Sequence, residues 1–395
     1  MSLIGQQVTI LGAGIAGLAV AQALALRGAQ VTILEQADAI REVGAGLQVS
    51  PNGAAVIKAL GLAAALEKQS VRATAVELRD GLDGDLVTRL EVARLRPDQG
   101  YHFLHRADLV EILLAGARAA GVELRLLQRI ESVDVSGRKP TVTTAQGAVF
   151  EADLLIGADG LHSRTREALN GKVAPFFTRQ VAWRALIPGN PSDPAVAEVH
   201  MGPGRHIVSY PLRGGSLRNI VAVEERNRWV EESWSLRDDP MELKLAFESF
   251  GPRVRGWLDQ IQDVWLWGLF RHPVARTWFK SMPEGAAVIL GDAAHPTLPF
   301  LAQGASMGLE DAWILASNLA GHDTLAAGLV AYQSARAPRC ARIVEAANRN
   351  AKAYHLSGPV RGLAHMGLKL GGMVAPQMAL KRFDWLYDHD VTASQ

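Results

Sequence analysis

The stretch Val8-Thr9-Ile10-Leu11-Gly12-Ala13-Gly14-Ile15-Ala16-Gly17 decides the fold of this chain. Its first four residues are apolar or β-branched and read as a buried strand. They run straight into a GxGxxG turn, after which Leu18 to Arg27 is rich in Ala and Leu, reads as a helix and stops at Gly28. A second strand, Ala29 to Leu34, ends on Glu35. Strand, glycine turn, helix, strand and acid is the order of a dinucleotide-binding unit. Gly12 permits the tight turn, Gly14 lets the backbone approach a pyrophosphate, and Gly17 lets the helix lie close to the sheet. The helix start at Ile15 and Ala16 then offers free N–H groups and a positive dipole end to phosphates. Glu35 can accept hydrogen bonds from both ribose hydroxyls and would repel a 2′-phosphate, so the nucleotide bound here is not expected to be NADP.

Working outward, two distant segments choose between dinucleotides. Asp153-Leu154-Leu155-Ile156-Gly157-Ala158-Asp159-Gly160 is an apolar strand that ends in an acid beside glycine, followed by Ser163, Arg164 and Arg166 at a helix start. Ala286 to Pro296 repeats the pattern around Gly291-Asp292 and leads to Gly304-Ala305-Ser306-Met307-Gly308-Leu309-Glu310-Asp311-Ala312. An acid at a strand end can hold a sugar or ribityl hydroxyl, and a neighbouring glycine gives the backbone room to approach a cofactor. The helix start at Gly304 suits the electron-rich side of a flavin. A simple nicotinamide dehydrogenase would need only the first motif.

These three motifs together resemble those of the single-component flavoprotein aromatic hydroxylases, nearest to the salicylate and hydroxybenzoate hydroxylase branch. The similarity spans about residues 5 to 345 and includes Gly44 to Gly53 and His105-Arg106-Ala107-Asp108-Leu109. The resemblance implies FAD, with Glu35 on the ribose and Arg41 and Arg106 near the phosphates or ribityl chain. It also implies Asp159 near the cofactor, Asp292 on the ribityl chain, and Gly304 and Ala305 at the flavin ring. NADH or NADPH would bind transiently, and dioxygen would react through a flavin C4a-hydroperoxide.

The motifs are scattered, so the expected fold is α/β: a Rossmann-like FAD-binding domain, discontinuous over 1–72, 100–173 and 268–345. An inserted antiparallel-sheet substrate domain is expected over 73–99 and 174–267, with a C-terminal helical segment over 346–395. Thr74–Asp80, Val181–Ile187, His206–Pro211 and Asn219–Glu224 alternate as strands of a half-buried sheet. Glu242–Phe250 and Pro252–Gln260 read as helices on that sheet, and Ala331–Tyr354 and Val360–Phe383 as mostly helical.

A phenol reacts far faster as phenolate, so a base near the ring would help. His206 and Tyr210 stand at i and i+4 of a strand and face one side. The resemblance places such a His and Tyr in the substrate pocket, His206 to take the phenolic proton and Tyr210 to orient the ring; an edge His and a core Tyr are the plainer alternatives. Gln48 and Gln303 match cofactor-side segments and read either as polar contacts to substrate or flavin or as backbone-capping amides. Pro296 and Pro299 stiffen the loop before Gln303. Phe300 departs from the Tyr or His of several relatives, which argues for an apolar contact there and against salicylate itself. Arg184 would meet a substrate carboxylate or stand as a surface cation. His295 reads as structural, and His102 and His105 form no metal-ligand pattern.

Composition narrows the partners. Lys+Arg (41) and Asp+Glu (40) nearly cancel over 395 residues, so no whole-chain field draws in nucleic acid or anionic membrane. Cys340 is the only cysteine, which excludes an intramolecular disulfide and multi-cysteine metal sites. No secretory signal or run of about 20 apolar residues is present, so a cytoplasmic protein without a membrane span is expected, as a monomer or homodimer. Three rivals stand beside the small-aromatic hydroxylase: a hydroxylase of lipid-tailed phenols in quinone biosynthesis, an FAD oxidase without a nicotinamide requirement, and a flavin-binding protein without activity. The apolar stretch Ala364–Leu380 gives weight to the first of these as a docking, interface or membrane-touching segment.

Overall fold

The strand Gln7–Leu11 sits in the middle of a six-stranded sheet of the computed structural model, which describes residues 2–40, 45–95, 97–226 and 236–393. The order across that sheet is Phe279–Met282, Gly285–Ile289, Leu154–Gly157, Gln7–Leu11, Gln30–Leu34 and Glu123–Arg125. All pairs are parallel except the first, which is antiparallel. Both faces are covered, so Ile10, Ile33, Leu154, Ile156 and Val288 are fully buried, as parallel strands require. Two glycines fix the close approach of the first helix, Ile15–Ala25. A Cβ on Gly17 would lie 2.0 Å from the Gly12 carbonyl oxygen, and Gly12 itself has φ +96°. This helix packs between the sheet and the helix Gly304–Gly321, so it is apolar all round rather than amphipathic.

The second large sheet has eight strands in the order Arg237–Asp238, Val264–Arg271, Phe176–Pro188, Leu217–Glu225, Arg205–Leu212, Val196–Gly202, Ala75–Asp80 and Leu86–Leu90. Its pairs are antiparallel, as expected, with one exception: Val196–Gly202 pairs parallel with Ala75–Asp80. The chain leaves after Leu90, contributes strands to the six-stranded sheet and re-enters as the inner strand Phe176–Pro188, which supplies the long crossover a parallel pair needs. The strand Val264–Arg271 also runs through residue 268, where the sheet was expected to end. Side chains alternate across it. Trp183 and Ile207 point into a core closed by the helices Pro240–Ala246 and Pro252–Leu258, while Arg184, His206, Val208 and Tyr210 point the other way.

The C-terminal part is helical as expected, with bounds of Leu325–Tyr354, Gly358–Val374, Pro376–Lys381 and Asp384–Tyr387. The Gly358–Val374 helix buries none of its side chains and exposes Leu363, Met366, Leu370 and Met373. Among the described residues, no helix is long and apolar enough to cross a membrane.

Candidate active site

A cleft of about 400 Å³ lies between the glycine turn and the open face of the eight-stranded sheet. On the cofactor side it is walled by Gly14, Ile15, Ala16, Ala158, Gly160, Asp292, Gly304 and Ala305, and Arg106 reaches it from the start of its own helix. These residues fit FAD on three observations. A Cβ on Gly14 or Gly160 would meet nothing within 4 Å, so both backbones border open space. The helices Ile15–Ala25 and Gly304–Gly321 both begin at the cleft without a side-chain cap or an acid in the first turn, which leaves their N–H groups and dipoles for a ligand. Asp292, directly after Gly291, lines the same cleft.

Glu35 is held at the end of its strand by the backbone N–H groups of Ala13 (2.8 Å) and Ala37 (2.9 Å). Its carboxylate is thereby fixed beside the glycine turn. Gly12 and Gly17 act behind the wall, through the close packing already described. Asp159 stands between Ala158 and Gly160 of that wall, and its carboxylate takes the Ser163 hydroxyl and the Thr165 N–H (3.2 Å) at the start of the helix Arg164–Asn170, whose N-cap is Ser163. Burial raises its pKa against those hydrogen bonds. Arg41 lies outside the described residues.

The Gly291–Asp292 loop is anchored by buried charges. Asp311 accepts the Gly291 N–H at 2.9 Å, the His295 imidazole and Arg336 Nε at 2.7 Å. Glu310 pairs with Arg336, with Arg339 at 2.7 Å and with the Asn52 amide at 2.6 Å. Burial alone would push the Asp311 carboxyl up, but His295 and Arg336 hold it well below the usual range. Burial likewise opposes charge on His295, and Asp311 overrides it and holds the ring's pKa well above that of a free imidazole. His295 is thus placed to hold the loop through Asp311.

On the sheet side, Arg184, His206 and Tyr210 converge on the cleft, and Gln48, Phe300 and Gln303 line it. The Arg184 guanidinium lies 3.5 Å from the centre of the Trp267 ring. Burial lowers its pKa to about 9, with Arg106 adding to the effect, which leaves it a cation at neutral pH. His206 sits under the Phe300 and Tyr354 rings, at 5.7 and 5.1 Å. Burial drives its pKa well below the usual imidazole value, so the ring is a neutral acceptor. Burial raises Tyr210, which keeps its hydroxyl protonated and able to donate. Gln48 accepts the Tyr101 hydroxyl at 2.7 Å. Gln303 spends its amide inside the protein, taking Asn52 at 3.2 Å and giving to Ser50 at 2.9 Å, and so ties the loop after Phe300 to the segment after Val49. Ala302 just before it has φ +52°, a strained conformation for a side chain.

Several residues at the site carry no motif in the sequence. His355, the C-cap of the long helix, meets His206 Nδ1 through its Nε2 at 2.7 Å and Glu225 through its Nδ1 at 2.9 Å. Arg336 and Cys340 read as ordinary helix residues, although their i, i+4 spacing puts both on one buried face. Tyr101 and Tyr387, with rings 6.0 Å apart, also line the cleft.

Comparison with known proteins agrees with this geometry. Residues 6–347 match the family described as FAD binding domain. The chain is 36% identical to the 3-amino-4-hydroxybenzoate 2-monooxygenase of Streptomyces cremeus, over 89% of each chain. It is 33% identical to the 3-hydroxybenzoate 6-hydroxylase of Polaromonas naphthalenivorans (strain CJ2), over 97% of this chain and 96% of that one. Its fold superposes on a salicylate hydroxylase substrate complex with a TM-score of 0.80, at 24% identity and covering 98% and 97% of the two chains.

Proposed function

This chain belongs to the FAD-dependent aromatic hydroxylase family, and from that membership we propose that it hydroxylates a small phenolic or N-heteroaromatic carboxylic acid, using NADH or NADPH and dioxygen. FAD is its cofactor. When bound, FAD supplies the redox chemistry, taking a hydride from the nicotinamide and passing one oxygen atom of dioxygen to the ring.

The observation that carries the proposal is the convergence of a buried cation and a neutral imidazole on one cleft wall, facing the flavin cradle. Arg184 is the partner for a substrate carboxylate, held in place by its contact with Trp267. His206 accepts the phenolic proton, which leaves a phenolate whose charge activates the ring. Tyr210 donates to the substrate oxygen and fixes the ring's orientation. Phe300 presents an apolar edge where a hydroxyl would otherwise contact the substrate, and the largely apolar lining keeps water from the reacting atoms. Relatives at 36% and 33% identity act, by name, on 3-substituted benzoates, which supports that class of substrate.

The test is oxidation of NADH and NADPH by the FAD-loaded protein with a panel of phenolic and N-heteroaromatic acids, coupled to product mass. A compound that speeds donor oxidation and gains one oxygen is the expected result. Peroxide formation without any nicotinamide donor would instead identify an oxidase. One observation favours a second reading, the exposed apolar row on the Gly358–Val374 helix, which suits the lipid surface where a lipid-tailed phenol resides. Co-sedimentation with vesicles, together with activity on a tailed phenol alone, would establish that alternative.

A further inference from the structure

We propose that His206, His355 and Glu225 form a proton relay that carries the phenolic proton from the cleft to solvent. The proposal rests on the reading of His206 as the group that meets the phenol. His206 Nδ1 lies 2.7 Å from His355 Nε2, and His355 Nδ1 lies 2.9 Å from Glu225 Oε1. The chain begins in the cleft wall and ends at the surface: the His355 side chain is 2% exposed and that of Glu225 is 54% exposed. Gly204, two residues before His206, ties the other two backbones together: its N–H donates to the His355 carbonyl at 3.2 Å and its carbonyl accepts the Glu225 N–H at 2.8 Å.

The exposed carboxylate dictates the protonation pattern of everything behind it. An ionised Glu225 can only accept, so His355 Nδ1 carries a proton and its Nε2 does not. His355 Nε2 must then accept, so His206 Nδ1 carries the second proton and its Nε2 keeps a lone pair for the substrate. An acid at the surface thus sets the tautomer of the base in the cleft. Of the other groups near the pair, Arg205 acts on His355 and, like burial, disfavours its cation. Arg205 is 3.5 Å from Glu224, Tyr354 is kept protonated by burial, and Phe300 is apolar.

In the transfer, the phenol O–H bond breaks and a bond forms to His206 Nε2. The Nδ1 proton of His206 passes to His355 Nε2, and the Nδ1 proton of His355 passes to Glu225 Oε1. The products are a phenolate, two neutral imidazoles in the opposite tautomers and a neutral carboxyl group that gives its proton to water. The reverse sequence returns a proton to the product oxygen and restores the starting tautomers. Without an onward path, a base whose burial disfavours the cation would return its proton to the phenol. His355 and Glu225 are therefore positioning and transfer residues acting through His206.

Two readouts on the FAD-loaded protein test this. Nitrogen-15 spectra of the histidine rings, recorded without substrate, should show both His206 and His355 protonated at Nδ1, with scalar coupling across the bond between the rings. Protonation of either ring at Nε2 would overturn the relay. Proton release is then followed with an indicator dye after rapid mixing with 3-hydroxybenzoate as the probe. Glu225→Gln keeps an accepting oxygen and therefore the tautomers, but cannot take the proton. Release should slow by roughly tenfold or more. In Glu225→Ala, added acetate should restore it. Glu225→Gln releasing as fast as the native protein would overturn the proposal. His206→Asn separates the two ideas: unchanged release in that variant defeats the reading of His206 as base, whereas loss in His206→Asn with full release in Glu225→Gln defeats the relay alone.

Discussion

His295 and His206 are both buried, yet the protein holds them in opposite protonation states. His295 faces Asp311, and the carboxylate keeps the ring charged against burial. His206 faces a second imidazole, and with no acid in contact burial wins. The partner, rather than the depth, decides the charge. The consequence is a division of labour. The His295 cluster is an ion network closed on itself, and it holds the Gly291–Asp292 loop still. The His206 chain has two neutral imidazoles, leads outward to Glu225, and is suited to moving protons.

The sharpest way to break this comparison is to open the closed network. Arg336→Met leaves Glu310 and Asp311 with a buried charge deficit, and the expected loss is roughly 3–5 kcal/mol in denaturant unfolding. A loss under about 1 kcal/mol would mean that the network does not hold the loop. On the other side, His206→Asn should lower kcat on the best phenolic acid by roughly a hundredfold to ten-thousandfold with little change in Tm. A variant that kept kcat and lost Tm would make His206 a second structural histidine and erase the contrast. Arg184→Met is expected to raise KM for carboxylated substrates by about ten- to a hundredfold, the worth of one charge-assisted contact, while a phenol without the carboxylate is unaffected. Steady-state kinetics on such a pair of compounds decides it.

The smallest effect is on stability against pH. His206 has a folded pKa below its unfolded value of 6.5, so the unfolded chain binds more protons below that value, and stability falls as pH drops through about 6.5. His295 is raised above 6.5, so its contribution is complete below that pH and is lost as pH rises through its folded value. Tm profiles should therefore flatten on the acid side in His206→Phe and on the alkaline side in His295→Asn. The same slope change in both variants would contradict opposite charge states.

The two regions also differ in how far the sequence reveals them. Gly12, Gly14, Gly17 and Glu35 act through backbone geometry within one strand–helix–strand unit, so spacing alone predicts the turn and its ligand end. Strand alternation gives His206 and Tyr210 a shared face, and it is the family resemblance that singles them out for the pocket. His355 could not be read that way: it lies 149 residues from His206, at a helix end with no motif, and only the packing of that helix on the sheet brings the rings together. Arg336 was hidden for a similar reason, since a cation in an Ala- and Arg-rich helix looks like a solvated face until its partners on the Gly304 helix are known. The parallel pair at Val196–Gly202 escaped because alternation reports a half-buried strand but not its direction. Asp159 and Gln303 were legible as polar groups, but the partners that hold them inside the protein, Thr165 and Ser50, were not.

The central claim is that this cleft inserts an oxygen atom from dioxygen into a phenolic acid. A single-turnover reaction of the reduced, FAD-loaded protein with oxygen-18 gas and the best compound of the panel tests it most directly. The account predicts a ring product heavier by one oxygen-18 atom, and a much lower yield of that product in His206→Asn. Product oxygen drawn from water, or peroxide alone with every compound tested, would contradict it.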